Sequence, residues 1–265
     1  MGTSPDPVAP PSRMLLNLEL RAAFELQAFI TAYPMLRQAP RGDGHPVMVL
    51  PGLSASDHST VPLRTYLREQ GYRVHGWNQG QNKGPRPGVE QALDDRLAEL
   101  FDRYGTAVSL IGISLGGIFA RELSRRSPDK VRQVITLGSP IGNPPKASNV
   151  WPLYERLSAR EIGTWHRGRD ITEPPPVPCT AIFTRTDGIV AWQGCRERKD
   201  TWTDNIEVDG SHSGLGHNPL AVFAIADRLA QPQDEWAPFD RGGVRRSLYP
   251  NPNRPDDGHA NPFAA

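Results

Sequence analysis

The sequence predicts an α/β fold, in which helices cover both faces of a mostly parallel central sheet. Short apolar runs rich in β-branched residues alternate along the chain with longer stretches whose apolar residues recur at helical spacing. The length of 265 residues suits one large domain. Strands that alternate with helices pair in parallel, because right-handed crossovers return each strand to the same sheet and leave a helix on its face.

The two ends of the chain differ in composition from its middle. Residues 1–11 and 231–265 are rich in proline, so we predict irregular tails there. The predicted domain covers residues 12–230 and begins with an amphipathic helix within 12–39, for which Ser12 is a good N-cap. Two roles stay open for this helix. Packing on the domain is favoured by the acidic residues Glu19 and Glu25, and binding to a membrane surface or a partner is the alternative.

After this first helix the pattern of apolar residues predicts strands and helices in regular alternation. Residues 139–177 interrupt the alternation, because they are proline-rich and contain no clear strand. The predicted strands cover residues 46–50, 72–77, 107–113, 131–137, 179–184 and 205–208, and the predicted helices that follow the first cover residues 61–70, 89–104, 115–126 and 219–230.

Composition excludes several classes of function. The net charge of +1 gives no field that would hold a nucleic acid, and no apolar run is long enough to span a bilayer. The two cysteines, Cys179 and Cys195, are too few for a disulfide framework or a four-thiolate zinc site. The start of the chain does not match a signal peptide. We therefore expect a cytoplasmic protein without a metal or cofactor.

The residues Gly112, Ser114 and Gly116 form a G-x-S-x-G pattern. The pattern follows a predicted strand and opens a predicted helix, and this context indicates a sharp turn that presents the serine hydroxyl above the sheet. An ordinary glycine-rich turn with an incidental serine is the alternative. Neither of the common phosphate-binding glycine patterns is present.

With this motif the sequence resembles the α/β-hydrolase fold, in its lipase and esterase branch, over about residues 45–230. The likeness is greatest to small bacterial lipases and to the lipases grouped with GPI-inositol deacylases. The resemblance implies a serine, an acid and a histidine in that chain order, and an oxyanion hole of two backbone amides. These amides would belong to Leu115 and to Leu53, in a loop where Pro51 stands in place of the histidine of the family. The resemblance also implies that residues 139–177 form a cap or lid over the acyl site.

The acid of such a site follows one of two late strands. No Asp or Glu lies between residues 131 and 154, whereas Asp187 follows the predicted strand 179–184 and precedes a turn-forming glycine. Asp187 is therefore the predicted acid. Asp204 and Asp209 flank a neighbouring strand, and we assign them structural roles.

Two histidines precede the last predicted helix, and the chain order leaves only them as the base. His212 lies in a glycine-flanked loop, whereas His217 adjoins the predicted helix start at Asn218 and Pro219. The freedom of the loop favours His212 as the general base, with His217 as the alternative.

Aromatic residues in the cap region, and one just after the acid, indicate an apolar wall for the substrate. The predicted function is hydrolysis of carboxylic esters with an apolar acyl group through an acyl-enzyme. The expected partner is a small-molecule ester, with a lipid as one option. An acyltransferase or thioesterase with the same residues, and a non-catalytic binding protein on this scaffold, stay open as alternatives. The aromatic candidates are Trp151, Tyr154, Trp165 and Trp192.

Overall fold

The computed structural model describes residues 8–142, 147–157 and 170–255. Its strands are β1 (Pro46–Leu50), β2 (Arg73–Gly76), β3 (Val108–Ile113), β4 (Val131–Leu137), β5 (Cys179–Phe183) and β6 (Thr203–Glu207). They form one sheet in the order β2-β1-β3-β4-β5-β6, and every neighbouring pair is parallel. The predicted α/β fold with a parallel sheet is therefore confirmed.

The strand order reverses direction at β1. The chain passes from β1 to the edge strand β2 and then returns to place β3 on the other side of β1. Connections that leave in opposite directions open a crevice outside the carboxyl ends of the two strands, and ligands bind there in open α/β sheets. The segments that follow β1 and β3 contain Leu53 and Ser114, so the topology brings two predicted site residues to this crevice.

Helices cover both faces of the sheet, as predicted. Alternate residues of β1 show the division, because Val47 and Val49 belong to one buried apolar cluster and Met48 and Leu50 belong to the other. The helices are α1 (Arg13–Leu18), α2 (Ala22–Leu36), α3 (Val61–Glu69), α4 (Val89–Tyr104), α5 (Leu115–Arg126), α6 (Trp151–Leu157), α7 (Pro219–Leu229) and α8 (Arg245–Leu248). Side chains of α2, α3 and α7 lie in the first cluster, and those of α4 and α5 lie in the second.

The first predicted helix is divided into two. Ser12 caps α1 by accepting a hydrogen bond from the Leu15 amide, and a 3₁₀ turn at Glu19–Arg21 separates α1 from α2. Phe29 and Leu36 of α2 are buried against the sheet. The segment therefore packs on the domain, which is the role that its acidic residues favoured. Other apolar side chains of the segment remain exposed, among them Leu20 at 83% and Phe24 at 79%.

The described part of the proline-rich C-terminal tail is more ordered than predicted. It contains the short helix α8, and it buries the rings of Phe239 and Tyr249. The Tyr249 hydroxyl donates a hydrogen bond to the Leu220 carbonyl of α7 at 3.0 Å, and the Phe239 amide donates one to Asp204 at 2.8 Å. The tail forms an additional layer beyond α7, because the rings of Phe239 and Tyr249 pack against apolar side chains there.

Within the ranges that the structure describes, no helix combines the length and the apolar character needed to cross a membrane.

Candidate active site

Ser114 occupies the turn between β3 and α5. Its backbone has φ 50° and ψ −122°, a conformation that residues other than glycine rarely adopt and that costs on the order of 1–3 kcal/mol. The Ser114 amide donates a hydrogen bond to the Leu137 carbonyl of β4 at 2.7 Å. The sheet thus holds the serine in a strained turn, as the G-x-S-x-G motif led us to expect.

The two glycines of the motif allow the strand and the helix to approach closely. A Cβ atom at Gly112 would lie 2.3 Å from the Gly117 Cα, and a Cβ atom at Gly116 would lie 2.3 Å from the Leu50 carbonyl oxygen. Any larger residue at either position would separate α5 from the sheet. The spacing of the motif therefore follows from packing as well as from the turn.

Asp187 and His212 form a buried hydrogen-bonded pair. The His212 Nδ1 lies 2.6 Å from Oδ2 of Asp187 and donates its proton to that oxygen. The second oxygen, Oδ1, accepts hydrogen bonds from the Ile189 and Val190 amides at 2.8 and 2.7 Å. These two amides fix the carboxylate, so the neutral His212 ring carries its proton on Nδ1 and leaves Nε2 unprotonated.

The electrostatic surroundings of His212 favour its charged form. Burial lowers the pKa of the imidazole, but the charge of Asp187, the hydrogen bond that His212 donates to Asp187 and the charge of Glu19 outweigh burial. The pKa of His212 is therefore raised above its ordinary value of 6.5. An imidazole with a raised pKa accepts a proton more readily near neutral pH than an ordinary histidine does.

Ser114 lies between two cavities. The larger one has a volume of about 500 Å³ and is lined by Ser114, His212 and Leu53 together with apolar residues of several elements. The smaller one has a volume of about 30 Å³ and is bounded by Ser114, Leu115, Trp151, Tyr154 and other residues. The predicted nucleophile, the predicted base and the predicted oxyanion residues therefore line these two adjoining cavities.

The two predicted oxyanion amides are available to a ligand. In the described part of the chain, neither the Leu53 amide nor the Leu115 amide donates a hydrogen bond to another residue. Leu115 is the first residue of α5, where amides have no partner within the helix and the helix dipole favours negative charge. A Cβ atom at Gly52 would lie 3.2 Å from the Ser114 Cβ, so the Leu53 loop passes directly beside the serine.

A buried asparagine that the sequence did not indicate supports the Leu53 loop. The Asn82 side chain donates to the Pro51 carbonyl at 2.7 Å, its carbonyl accepts from the Ser54 amide at 2.7 Å, and its amide donates to the Ala55 carbonyl at 2.7 Å. Asn82 is fully buried. It stands in a polar, glycine-containing loop, where nothing in the pattern of residue types sets it apart.

The predicted substrate-wall residues have different positions. Trp151 and Tyr154 bound the smaller cavity, with their rings stacked 5.3 Å apart. Trp165 lies outside the described residues. Trp192 stacks on Phe183 at 5.9 Å with the Arg185 guanidinium 4.0 Å from its ring centroid, and it lines neither cavity that reaches Ser114.

The alternatives to the predicted acid and base make other contacts. The His217 Nε2 lies 3.0 Å from the Ala22 carbonyl of α2, to which it donates, although the residue also lines the larger cavity. Asp204 accepts hydrogen bonds from the Phe239 amide and from Arg241. The carbonyl of Asp209 accepts one from Asn218. Asp187 thus meets His212 and not His217.

A second serine, histidine and aspartate are joined near the amino ends of β1 and β3, at the other end of these strands from Ser114. The His45 Nδ1 lies 2.5 Å from Asp43 Oδ1, and its Nε2 lies 2.8 Å from the Ser109 hydroxyl. Ser109 is fully buried near the start of β3, and Arg132 also binds Asp43. Burial lowers the pKa of His45, and the Arg132 charge lowers it further. A substrate cannot reach this hydroxyl, so the group fastens β1 to β3.

Among the described residues, no three His, Cys, Asp or Glu side chains are grouped so that they could hold a metal ion.

Comparison with known proteins gives matches in sequence and in structure. No family model matches the chain. The pimeloyl-[acyl-carrier protein] methyl ester esterase of Shewanella woodyi is 28% identical over 111 residues. The match covers 42% of this chain and 42% of the esterase, so it spans less than half the length of this curated relative.

Solved structures cover more of the chain at lower identity. Aspergillus fumigatus lipase B is 17% identical with a TM-score of 0.58, over 74% of this chain and 57% of the lipase. The monoacylglycerol lipase of Paleococcus ferrophilus is 17% identical with a TM-score of 0.52, over 72% of this chain and 97% of the lipase. A pyrethroid hydrolase is 17% identical with a TM-score of 0.52, over 72% and 100% of the two chains. The chain has the α/β-hydrolase fold, as its sequence led us to expect.

Proposed function

We propose that this α/β hydrolase is a serine hydrolase of carboxylic esters. The observation that carries the proposal is the 2.6 Å contact of Asp187 with His212, on a cavity that His212 shares with the strained Ser114. The esterase from Shewanella woodyi and the lipases of the same fold support ester hydrolysis in general.

In the proposed reaction the Ser114 hydroxyl oxygen attacks the ester carbonyl carbon, and His212 Nε2 accepts the hydroxyl proton. The carbonyl oxygen becomes an oxyanion, which the amides of Leu53 and Leu115 stabilise by about 3 kcal/mol each. His212 returns the proton to the leaving alcohol, and an acyl-enzyme remains. A water molecule then attacks the acyl carbon by the same route and releases the acid. Asp187 holds the tautomer of His212 and stabilises its cation throughout.

We infer the positions of the two parts of the ester from the residues that line the two cavities. His212 has to protonate the leaving oxygen, so the alcohol lies on the His212 side, in the larger cavity. The acyl group then lies in the smaller cavity beside Leu115, Trp151 and Tyr154. Because these walls are mostly apolar, the proposed substrate has a short apolar acyl group.

The function is tested by trapping the acyl-enzyme. The intact protein is treated with a fluorophosphonate, and the adduct is located by mass spectrometry of its peptides. We expect one adduct on Ser114, together with turnover of p-nitrophenyl esters. An adduct on another serine would refute the assigned nucleophile.

The pH dependence of kcat/KM should report the raised pKa of His212. Only the imidazole with a free Nε2 can act as the base, so activity falls as pH decreases through the pKa of His212. The acidic midpoint is therefore expected above 6.5, the ordinary value for histidine. In Asp187→Asn the carboxylate that favours the imidazolium is lost, and the midpoint should move to lower pH. A wild-type midpoint below 6.5 would contradict this account.

Trp151 should determine the length of acyl group that the site accepts. Trp151→Ala removes the indole and enlarges the cavity beside Ser114, with room for a few more methylene groups. Each buried methylene contributes about 0.8 kcal/mol. The ratio of kcat/KM for p-nitrophenyl octanoate to that for the acetate should therefore rise by roughly 4- to 15-fold when one or two methylenes gain contacts.

Trp192→Ala is the matched control, because Trp192 borders neither cavity at Ser114. Its ratio of octanoate to acetate hydrolysis should equal that of the wild type. An unchanged ratio in Trp151→Ala would place the acyl chain in the larger cavity instead.

A further inference from the structure

A carboxylate from the N-terminal segment lies between the two loops that contain the candidate acid and base. We call residues 184–190 the acid loop and residues 208–218 the histidine loop. Oε1 of Glu19 accepts hydrogen bonds from the Gly188 amide at 2.8 Å and from the His212 amide at 3.0 Å. Oε2 accepts one from the Ser213 amide at 2.8 Å. One side chain therefore joins both loops, at the base itself and at the residue after the acid.

Arg21, two residues later, joins the same loops through their carbonyl groups. Its Nη2 donates to the Thr186 carbonyl at 2.7 Å, to the Thr186 hydroxyl at 2.8 Å and to the Gly210 carbonyl at 2.5 Å. The 3₁₀ turn that divides α1 from α2 presents both side chains to the loops. Backbone donors and backbone acceptors of both loops are thus satisfied by residues from one turn.

The acid loop is shaped to receive this segment. A Cβ atom at Gly188 would lie 2.3 Å from the Leu15 carbonyl oxygen of α1. Only glycine allows α1 to lie so close to the residue that follows Asp187. The glycine that the sequence indicated as a turn former therefore also provides a contact surface for the N-terminal segment.

Glu19 remains an ionised carboxylate in this position. Burial raises its pKa, but hydrogen bonds from Ser213, Gly188 and His212 outweigh burial, and its pKa is lowered overall. The negative charge acts on His212 together with that of Asp187. Two further charged groups of the segment touch the histidine loop: Arg21 at the Gly210 carbonyl and Glu25 at the Ser211 amide.

We propose that Glu19 is a positioning residue, which holds the acid loop and the histidine loop in fixed register so that His212 stays on Asp187 and beside Ser114. Its effect on catalysis rests on the proposed function. The effect on the contact of His212 with Asp187 is a property of the folded chain and can be measured without a substrate.

The activity test compares Glu19→Gln with Glu25→Gln. Glutamine keeps the size of Glu19 but places an NH₂ group against a backbone amide, so one of the loops must move. A displacement of about 1 Å at a catalytic group can cost on the order of 10²-fold in rate, and we expect kcat to fall by about that factor while KM changes little. The acidic midpoint of kcat/KM should move to lower pH, because a charge that favours the His212 imidazolium is lost.

Glu25→Gln is the matched variant, since it removes the same charge from the same segment. Glu25 accepts hydrogen bonds from Ser211 and Asn218 of the histidine loop and from no described residue of the acid loop. Its loss of kcat should be smaller, and its acidic midpoint should not move. Equal losses and equal midpoints in both variants would mean that the segment acts only by covering the loops, and would overturn the assignment to Glu19.

The substrate-free test uses the Nδ1 proton of His212, whose resonance in a proton NMR spectrum is shifted far downfield by the short bond to Asp187. We expect this resonance in wild-type protein and in Glu25→Gln, and its loss or broadening in Glu19→Gln. If the wild type hydrolyses no ester but the resonance depends on Glu19, the proposed function fails and the positioning role stands. If Glu19→Gln keeps the wild-type resonance, the positioning role is wrong.

Circular dichroism establishes whether each variant is folded. If Glu19→Gln does not fold, Glu19→Asp provides the second variant, because it keeps the charge and shortens the side chain by one methylene. It should show the same loss of kcat and of the downfield resonance. Wild-type values of both in Glu19→Asp would overturn the proposal.

Discussion

Replacing Ser114 with alanine is expected to lower kcat for p-nitrophenyl acetate by on the order of 10⁶-fold, to the level that binding and the oxyanion amides alone provide. The reason is that the acyl-enzyme cannot form without the hydroxyl, whereas the cavities and the amides of Leu53 and Leu115 remain. The measurements are steady-state hydrolysis and fluorophosphonate labelling of both proteins. Alanine also lacks a polar group that could rescue the reaction.

The matched control for this experiment is Ser109→Ala. Ser109 belongs to the buried group with His45 and Asp43, so this variant removes a buried serine that is hydrogen-bonded to a histidine away from Ser114. The folded protein should keep wild-type activity and labelling. Its free energy of unfolding should fall by about 1–3 kcal/mol, because a buried His45 nitrogen loses its partner. Labelling that persists in Ser114→Ala and disappears in Ser109→Ala would reverse the assignment of the nucleophile.

Replacing His212 with alanine should reduce kcat to the same level as Ser114→Ala. The serine is a weak nucleophile unless a base removes its proton, and His212 is the histidine that meets Asp187. The double variant of Ser114 and His212 should show no further loss, because the two residues act as one unit. The measurement is kcat for the two single variants and the double variant with one ester.

His217→Ala provides the comparison within the same loop. His217 lines the larger cavity and bonds to the Ala22 carbonyl, so its loss should loosen the contact of α2 with the histidine loop. We expect a decrease in kcat of at most about tenfold, the size of one lost hydrogen bond. An inactive His217→Ala protein beside an active His212→Ala protein would exchange the roles of the two histidines.

Local pattern was sufficient to predict the six strands of the sheet and the helices α3, α4, α5 and α7. The apolar runs that became β1 and β4 were predicted with the bounds they have in the structure, as were α4 and α5. Such elements are visible in sequence because each buries a regular set of its own side chains. Ser114 could be singled out for a similar reason, since the turn needs glycines at fixed distances along the chain.

Residues that act through the backbone of distant loops could not be predicted in this way. Asn82 and Glu19 each bind main-chain groups, and any residue type offers the same amide and carbonyl to such a partner. The residue types at Gly188 and Pro51 therefore do not indicate which side chain binds their main-chain groups. The ordered tail around Phe239 was missed because proline content indicates irregular backbone, and irregular backbone can still be well packed.

The contacts of Glu19 also set the order in which the molecule can be completed during synthesis. Its partners Gly188, His212 and Ser213 lie 169, 193 and 194 residues further along the chain. At roughly 5–20 residues per second, about 10 to 40 s pass between translation of the glutamate and translation of its last partner. Glu19 thus leaves the ribosome well before the three residues that bind it. On the proposed role of Glu19, completion of the candidate site is accordingly a late event in folding, and the first appearance of activity would report that the N-terminal segment has bound both loops.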